Sequence, residues 1–140
     1  MLRLLIDTNV LLDVVLARGQ RAIDGASLLS AIELGRADGY IASHAITTVH
    51  YIVARERDDA TARLAVTHIL RLLSVVPLGT DDFHAAVALD MPDFEDAVQS
   101  AAALAAGINY IVTSNKKDFK RSPVPPRTAA ELLPLVLSGQ

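Results

Sequence analysis

Short apolar runs separated by stretches of helical periodicity are the strongest constraint on this chain. Arg3 to Ile6, Tyr40 to Ala42, Val75-Val76 and Tyr110 to Thr113 read as strands, most clearly the first and the last. After the first, Val10, Leu11, Val14 and Val15 recur at three- and four-residue spacing, and Arg18-Gly19-Gln20 breaks that pattern. Ala26, Leu28, Leu29, Ile32 and Leu34 mark a second helix that stops near Gly39. Ala45 to Arg55 is rich in β-branched residues, yet Ile46, Val49, Tyr51, Ile52 and Val53 fit one broad helical face, and the segment reads as helix. Helices are also expected over Asp59 to Leu73, Asp81 to Leu89 and Phe94 to Ala106, the last closed by Gly107. Ser43 and Thr80 stand where N-caps belong, and Thr128 with Glu131 has the spacing of a capping box for a last short helix. Pro123 to Pro126 reads as an extended linker.

Strands that alternate with helices predict an α/β fold: a three-layer α/β/α sandwich around a central parallel sheet of four or five strands. Right-handed crossovers put helices on both faces of such a sheet and gather the carboxyl ends of its strands along one edge. The 140 residues are expected to form one domain, 1–140, since no boundary, repeat or low-complexity tract interrupts them. Apolar residues make up 51 % of the chain and aromatics only 4 %, so the core is built from Leu, Ala, Val and Ile, which suits closely packed helices. Cysteine is absent, which excludes disulfides and thiolate chemistry, leaves only oxygen and imidazole as metal ligands, and suits a cytoplasmic protein. No apolar run approaches the roughly 20 residues needed to cross a bilayer, and no membrane partner is expected.

The informative polar residues are acids. Asp7 directly follows the first strand, where open α/β sheets place their chemistry, although Asp7 or Thr8 would also serve to cap the helix that follows. Asp93, Glu95 and Asp96 lie in the first turn of a helix, where free N–H groups and the helix dipole favour carboxylates. Asp93 as N-cap with Asp96 three residues on is the structural reading of that pair. Asp96 is followed by Ala97, Val98, Ala101, Ala102 and Ala105, small residues that let the helix carry its carboxylate close to another element. Glu95 projects about 100° away from Asp96 around the helix, so the two are not expected to bind one ion directly. Beyond the last strand, Thr113, Asn115 and Asp118 add a hydroxyl, an amide oxygen and a carboxylate. Magnesium and manganese want such oxygen ligands and keep waters, one of which can attack a phosphodiester.

This ordered set resembles the PIN domains, small metal-dependent nucleases that include the VapC-type toxins of bacterial and archaeal toxin-antitoxin modules. The resemblance spans essentially the whole chain. It rests on Ile6-Asp7-Thr8-Asn9, on Asp93-Phe94-Glu95-Asp96-Ala97 with the alanine-rich helix up to Gly107, and on Tyr110-Ile111-Val112-Thr113-Ser114-Asn115-Lys116-Lys117-Asp118-Phe119. It implies a ribonuclease that binds magnesium or manganese, attacks in line and leaves a 5′-phosphate and a 3′-hydroxyl. By the same resemblance Asp7 and Asp96 are metal ligands. Asn115 stands where many members have the final Asp, while Asp118 matches the acid of the Asn-Lys-Lys-Asp-Phe form, so Asp118 is preferred as ligand with Asn115 orienting water. Thr8 and Asn9 would fix the Asp7 loop, with Asp93, Glu95 and Thr113 in support. The chain departs from the family in the helix after the second strand, where a Glu is usual and Thr47, Thr48 and His50 stand instead. Glu95 or Asp93 on the opposite wall, or His50, are the candidates to compensate.

Charge is divided along the chain. Asp81 to Asp96 holds six acids and no Lys or Arg, while Lys116 to Arg127 holds five bases. Lys116, Lys117, Lys120 and Arg121 are expected to contact RNA phosphates, against the alternative of a solvated turn; their number suits a short or structured RNA. The resemblance further implies a homodimer and a small antitoxin partner, whose apolar helix would lie over helices near Leu12 to Leu34 and Ile46 to Leu73. The alternative is a catalytically degenerate PIN-like module that binds RNA or assembles proteins. A response-regulator receiver fails on the order of its acids.

Overall fold

A computed structural model describes residues 1–138; Gly139 and Gln140, the end of the expected domain, lie outside the described residues. In chain order the elements are β1 (Arg3–Ile6), α1 (Thr8–Val15), α2 (Gly19–Glu33), β2 (Asp38–Ala42), α3 (Ser43–Glu56), α4 (Asp59–Leu72) and β3 (Ser74–Val76). There follow α5 (Thr80–Ala88), α6 (Phe94–Ala105), β4 (Tyr110–Val112), a single 3₁₀ turn (Lys116–Phe119), β5 (Pro126–Arg127) and α7 (Ala129–Leu137). Among the described residues no helix is long and apolar enough to cross a membrane.

The five strands form one sheet in the order β3-β2-β1-β4-β5, and every neighbouring pair is parallel. Period-two alternation in β1 then decides the layers. Leu4 and Ile6 face a core shared with Val10, Leu11 and Leu12 of α1, Leu28 of α2, Val49 of α3, Ile69 of α4 and Leu132 of α7. Leu5 points the other way, among Ala42, Ile111, Phe119 and the α6 residues Ala102 and Ala103. Alanines on α6 serve two contacts, since Ala97 and Ala101 meet Ala86 of α5 while Ala102 and Ala103 lie on the sheet. This is the expected α/β/α sandwich, with α1 to α4 and α7 on one face and α5 and α6 on the other.

Several local expectations need correction. The position before α3 is Ala42 and the one before α5 is Gly79, so Ser43 and Thr80 open their helices instead of capping them. At α5 it is Asp82 that accepts from the Gly79 N–H, at 2.8 Å. The proline-rich stretch is not all linker: Ile111 N–H donates to Pro125 O and Thr113 N–H to Arg127 O, which makes Pro126-Arg127 a fifth, edge strand. An edge tolerates Pro126 because its missing N–H faces away from the ladder. The Thr128 and Glu131 capping box forms as read, with Glu131 N–H donating to Thr128 Oγ1 and Thr128 N–H to Glu131 Oε1.

Gly39 in β2 is a point of close approach. A Cβ there would meet Leu73 Cδ2 at 2.5 Å and two atoms of Ile32, Cδ1 and Cγ2, at 3.0 Å. Both neighbours are buried, and Ile32 is stiff at its branched Cβ. Gly39→Ala is therefore expected to destabilise the fold by about 1–3 kcal/mol through overpacking, measured as a lower midpoint in urea at unchanged m-value.

Candidate metal centre

Asp7 is the first residue past β1. Its N–H donates to Val112 O at 2.9 Å, which prolongs the β1–β4 ladder by one bond and fixes where the side chain leaves the sheet edge. It occupies the N-cap position of α1 but makes no side-chain capping bond. Its oxygens instead accept from Gln99 Nε2 at 2.7 Å and from Thr113 Oγ1 at 3.0 Å. Residue 7 is only 2 % exposed. Burial raises its pKa above the usual carboxylate value, Glu95 adds to that, and the bonds from Gln99 and Thr113 oppose it.

Asp93 caps α6 by accepting from the Asp96 N–H at 3.0 Å, as its structural reading anticipates. That bond starts the helix so that Glu95 and Asp96 reach the same space as Asp7. One carboxylate oxygen from each of Asp7, Glu95 and Asp96 lies within 4.8 Å of the other two. The helical-wheel separation of Glu95 from Asp96 does not keep them apart, because the longer Glu95 side chain is drawn across. Its Oε2 accepts from His44 Nε2 at 2.6 Å and from Thr8 Oγ1 at 3.4 Å, and its Oε1 accepts from Gln99 Nε2 at 3.3 Å. Asp96 is pushed up to about 7, first by burial and then by Asp93, Asp7, Glu95 and Asp118 in turn. Three carboxylates held together with one of them so perturbed are short of positive charge, which a hard divalent cation could supply. The buried Gln99 Oε1, which lacks a partner, is a further unspent oxygen at this place.

Asp118 is not among those three. It accepts from Asn115 Nδ2 at 2.9 Å, across the 3₁₀ turn. Asn115 in turn is held by its N–H donating to Thr113 Oγ1 at 3.1 Å. Asn9, Asn115 and Asp118 line a cavity of about 380 Å³ with Asp7, Thr113 and Ser114. Thr47 and Thr48 donate back to the His44 carbonyl at 2.9 and 3.4 Å. His50 does not reach the acids, since its Nε2 pairs with Asp59 Oδ1 at 3.1 Å at the α3–α4 junction. His50 as a substitute for the missing Glu is thereby corrected; the histidine that does touch the acidic centre is His44.

The bases are less available than their sequence cluster suggests. Lys116 Nζ pairs with Glu131 at 3.0 Å and Arg121 pairs with Asp90, so both tie the segment after β4 to other elements. Lys117 and Lys120 line a shallow cavity beside Asp118. Five residues were missed in the sequence. His44 sits two residues beyond β2, on the same sheet edge as Asp7, and that position was its only signal. Gln99 is i+4 from Glu95 and i+3 from Asp96, a spacing that marks one helix face. Buried Asp13 accepts from Ser114 Oγ at 3.3 Å and pairs with Arg18 at 3.7 Å. Arg18 and Arg21 bring positive charge to the rim of the Asp7 cavity from the start of α2.

A parallel sheet with this order, carrying a cluster of carboxylates at the carboxyl edge of its central strand, defines an α/β protein with an acidic site that could hold a metal ion. The chain belongs to the PIN domain family, whose sequence pattern matches residues 3–117. No curated protein matches the sequence. Its fold is similar to that of VapBC2 from Rickettsia felis bound to a DNA fragment from their promoter, at 16 % identity and a TM-score of 0.71, covering 91 % of this chain and 98 % of that one. It is also similar to VapC20 of Mycobacterium tuberculosis, a toxin that cleaves the sarcin-ricin loop, at 17 % identity and a TM-score of 0.70, covering 86 % and 95 %. A toxin-antitoxin complex from Klebsiella pneumoniae is 22 % identical with a TM-score of 0.65, covering 89 % and 96 %. The likeness to VapC-type toxins is one of fold.

Crowded carboxylates give a pH signature. Asp96 has a folded pKa of about 7 against an ordinary 3.8, so its protonated form favours the fold; that contribution is complete below 3.8 and is lost as the pH rises through about 7. Asp96→Asn is neutral throughout. In EDTA it is expected to melt above the unsubstituted protein at about pH 8, and the difference is expected to shrink toward about pH 4, as calorimetry across that range would show.

Proposed function

We propose that this protein is a divalent-metal-dependent endoribonuclease and the toxin of a toxin-antitoxin pair. The observation that carries the reading is the convergence of Asp7, Glu95 and Asp96 at the carboxyl edge of the central strand. Asp7 and Asp96 are assigned as ligands for magnesium or manganese. A bound ion of this kind polarises a phosphate and acidifies a water. Gln99 and Thr113 orient Asp7 by donating to one oxygen each. Asp118, steadied by Asn115, is assigned to the water side of the cavity, where its carboxylate can take up a proton. Lys117 and Lys120, with Arg21 on the other rim, neutralise phosphates that flank the scissile bond, which positions the strand without specifying its sequence.

An apolar groove supports the antitoxin half of the reading. Leu11, Val14 and Val15 of α1, Leu29 of α2 and Leu64, Ile69 and Leu72 of α4 line a cavity of about 400 Å³. Leu64 is 58 % exposed there. That surface is assigned to the apolar face of an antitoxin helix. The relatives of this fold include toxin-antitoxin complexes, which supports the assignment, and a homodimer belongs to the same proposal.

The test is cleavage of end-labelled structured RNAs, a sarcin-ricin stem-loop among them, in magnesium, manganese or EDTA. The unsubstituted protein is expected to cut with either metal and not in EDTA. Asp7→Asn is expected to lose at least about 10²-fold, on the scale of the several kcal/mol of transition-state stabilisation that a bound metal ion supplies. Equal products from both proteins would assign the cleavage to a contaminant. One observation favours a second reading: Thr47 and Thr48 spend their hydroxyls on the α3 backbone where a ligand carboxylate is usual. RNA binding without metal-stimulated turnover would establish the degenerate module in place of the nuclease.

A further inference from the structure

Glu95 is the carboxylate with the most freedom to leave the cluster and the most donors holding it there. Its side chain is 38 % exposed, and repulsion from Asp7 and Asp96 favours swinging it into water. Three donors oppose that swing. Thr8 reaches it from α1, Gln99 from its own helix, and His44 from α3 at the shortest distance, 2.6 Å. A carboxylate only accepts, so the ring nitrogen that faces it, Nε2, is the donor. The other ring nitrogen, Nδ1, is buried and has no partner among the described residues, so the contact with Glu95 is the one polar interaction among them that orients the imidazole.

Gln99 gives an independent pointer to the same spot. It is fully buried, it donates to both Asp7 and Glu95, and its Oε1 has no partner. A buried amide that binds two carboxylates and leaves its oxygen unpaired is costly unless the place has another occupant. The wall opposite α6 is α3, whose family carboxylate is missing, and it is α3 that presents His44.

Resting on the metal-site reading above, we propose that His44 is a positioning residue that turns Glu95 toward Asp7 and Asp96 and so makes Glu95 the third ligand of the divalent cation. Helix α6 then supplies two consecutive ligands, and α3 supplies an imidazole support in place of a carboxylate. The chain restores the third negative charge from the opposite wall. Outer donors of this kind set the orientation of ligands for which a metal competes with solvent.

The test is calorimetric titration of manganese into the full chain, metal-free, for the unsubstituted protein, His44→Ala and His44→Gln, with thermal unfolding of each. Loss of an outer donor weakens metal affinity by about 10- to 100-fold, and that is the expected effect of His44→Ala, with little change in the metal-free unfolding temperature. His44→Gln keeps an N–H donor near the same place and is expected to recover most of the affinity. With RNA, His44→Ala is expected to lower kcat at unchanged KM. Manganese affinity of His44→Ala equal to that of the unsubstituted protein would overturn the inference while leaving the metal site standing. If His44→Ala fails to fold, the Gln variant decides: folded but weak binding overturns the role of the donor. Absence of manganese binding by the unsubstituted protein would overturn the metal-site reading itself, and the inference with it.

Discussion

The position of β1 between two parallel neighbours governs everything else in this molecule. Leu5 pairs with Tyr40 of β2, and Leu4, Leu5 and Ile6 pair with Tyr110, Ile111 and Val112 of β4. From β1 the chain moves outward through β2 and β3, then crosses to the other side for β4 and β5. Strand order therefore reverses beside β1, and open parallel sheets leave a crevice at such a point. Asp7 stands at its mouth. The elements that follow β2 and precede or follow β4 must start or end along the same edge, which is why His44, Asp96 and Thr113 all lie near Asp7 although they are far apart in the chain.

That edge gathers like charges, and the fold opposes their repulsion with fixed donors. Asp7 is held by Gln99 and Thr113, and Glu95 by His44, Thr8 and Gln99. Asp96 has its backbone N–H bonded to Asp93 and its carbonyl accepting from Ser100 Oγ at 2.8 Å, so its helix is anchored while its carboxyl is left to bear the field of four other acids. The rigidity comes from the alanine face of α6, where side chains too small to rearrange keep the helix against the sheet and against α5. A charge arrangement that weakens the fold by itself and persists because packing over-determines it is characteristic of sites built for a ligand.

Much of this was legible in the residues. The strands β1 to β4 and the helices between them follow from apolar spacing, and the α7 capping box follows from Thr128 and Glu131, because caps and periodicity are local effects. The misreadings have local causes too. Ser43 and Thr80 have good capping side chains, yet the chain reaches its helical dihedrals one residue sooner than those side chains suggest, with Ala42 and Gly79 as the extended residues. Pro126 looked like linker because a proline argues against a strand, and only pairing with β4 makes it an edge strand. At the site, Asp7, Asp93 and Asp96 stood out by position, whereas Glu95 was discounted by helix geometry that ignored the reach of its side chain.

Sequence by itself determined the alternation of strand and helix, hence the parallel sheet, and the acids at element boundaries. Both are encoded by residues within one or two turns of each other. Tertiary structure alone decided which polar groups meet. Gln99 bonds to Asp7 across 92 residues, Thr113 to Asp7 across 106, Ser114 to Asp13 across 101 and His44 to Glu95 across 51. No spacing rule links such positions. A hydrogen bond requires placement to a few tenths of an ångström, and that precision arises only when the strands are paired and the helices are seated on both faces of the sheet.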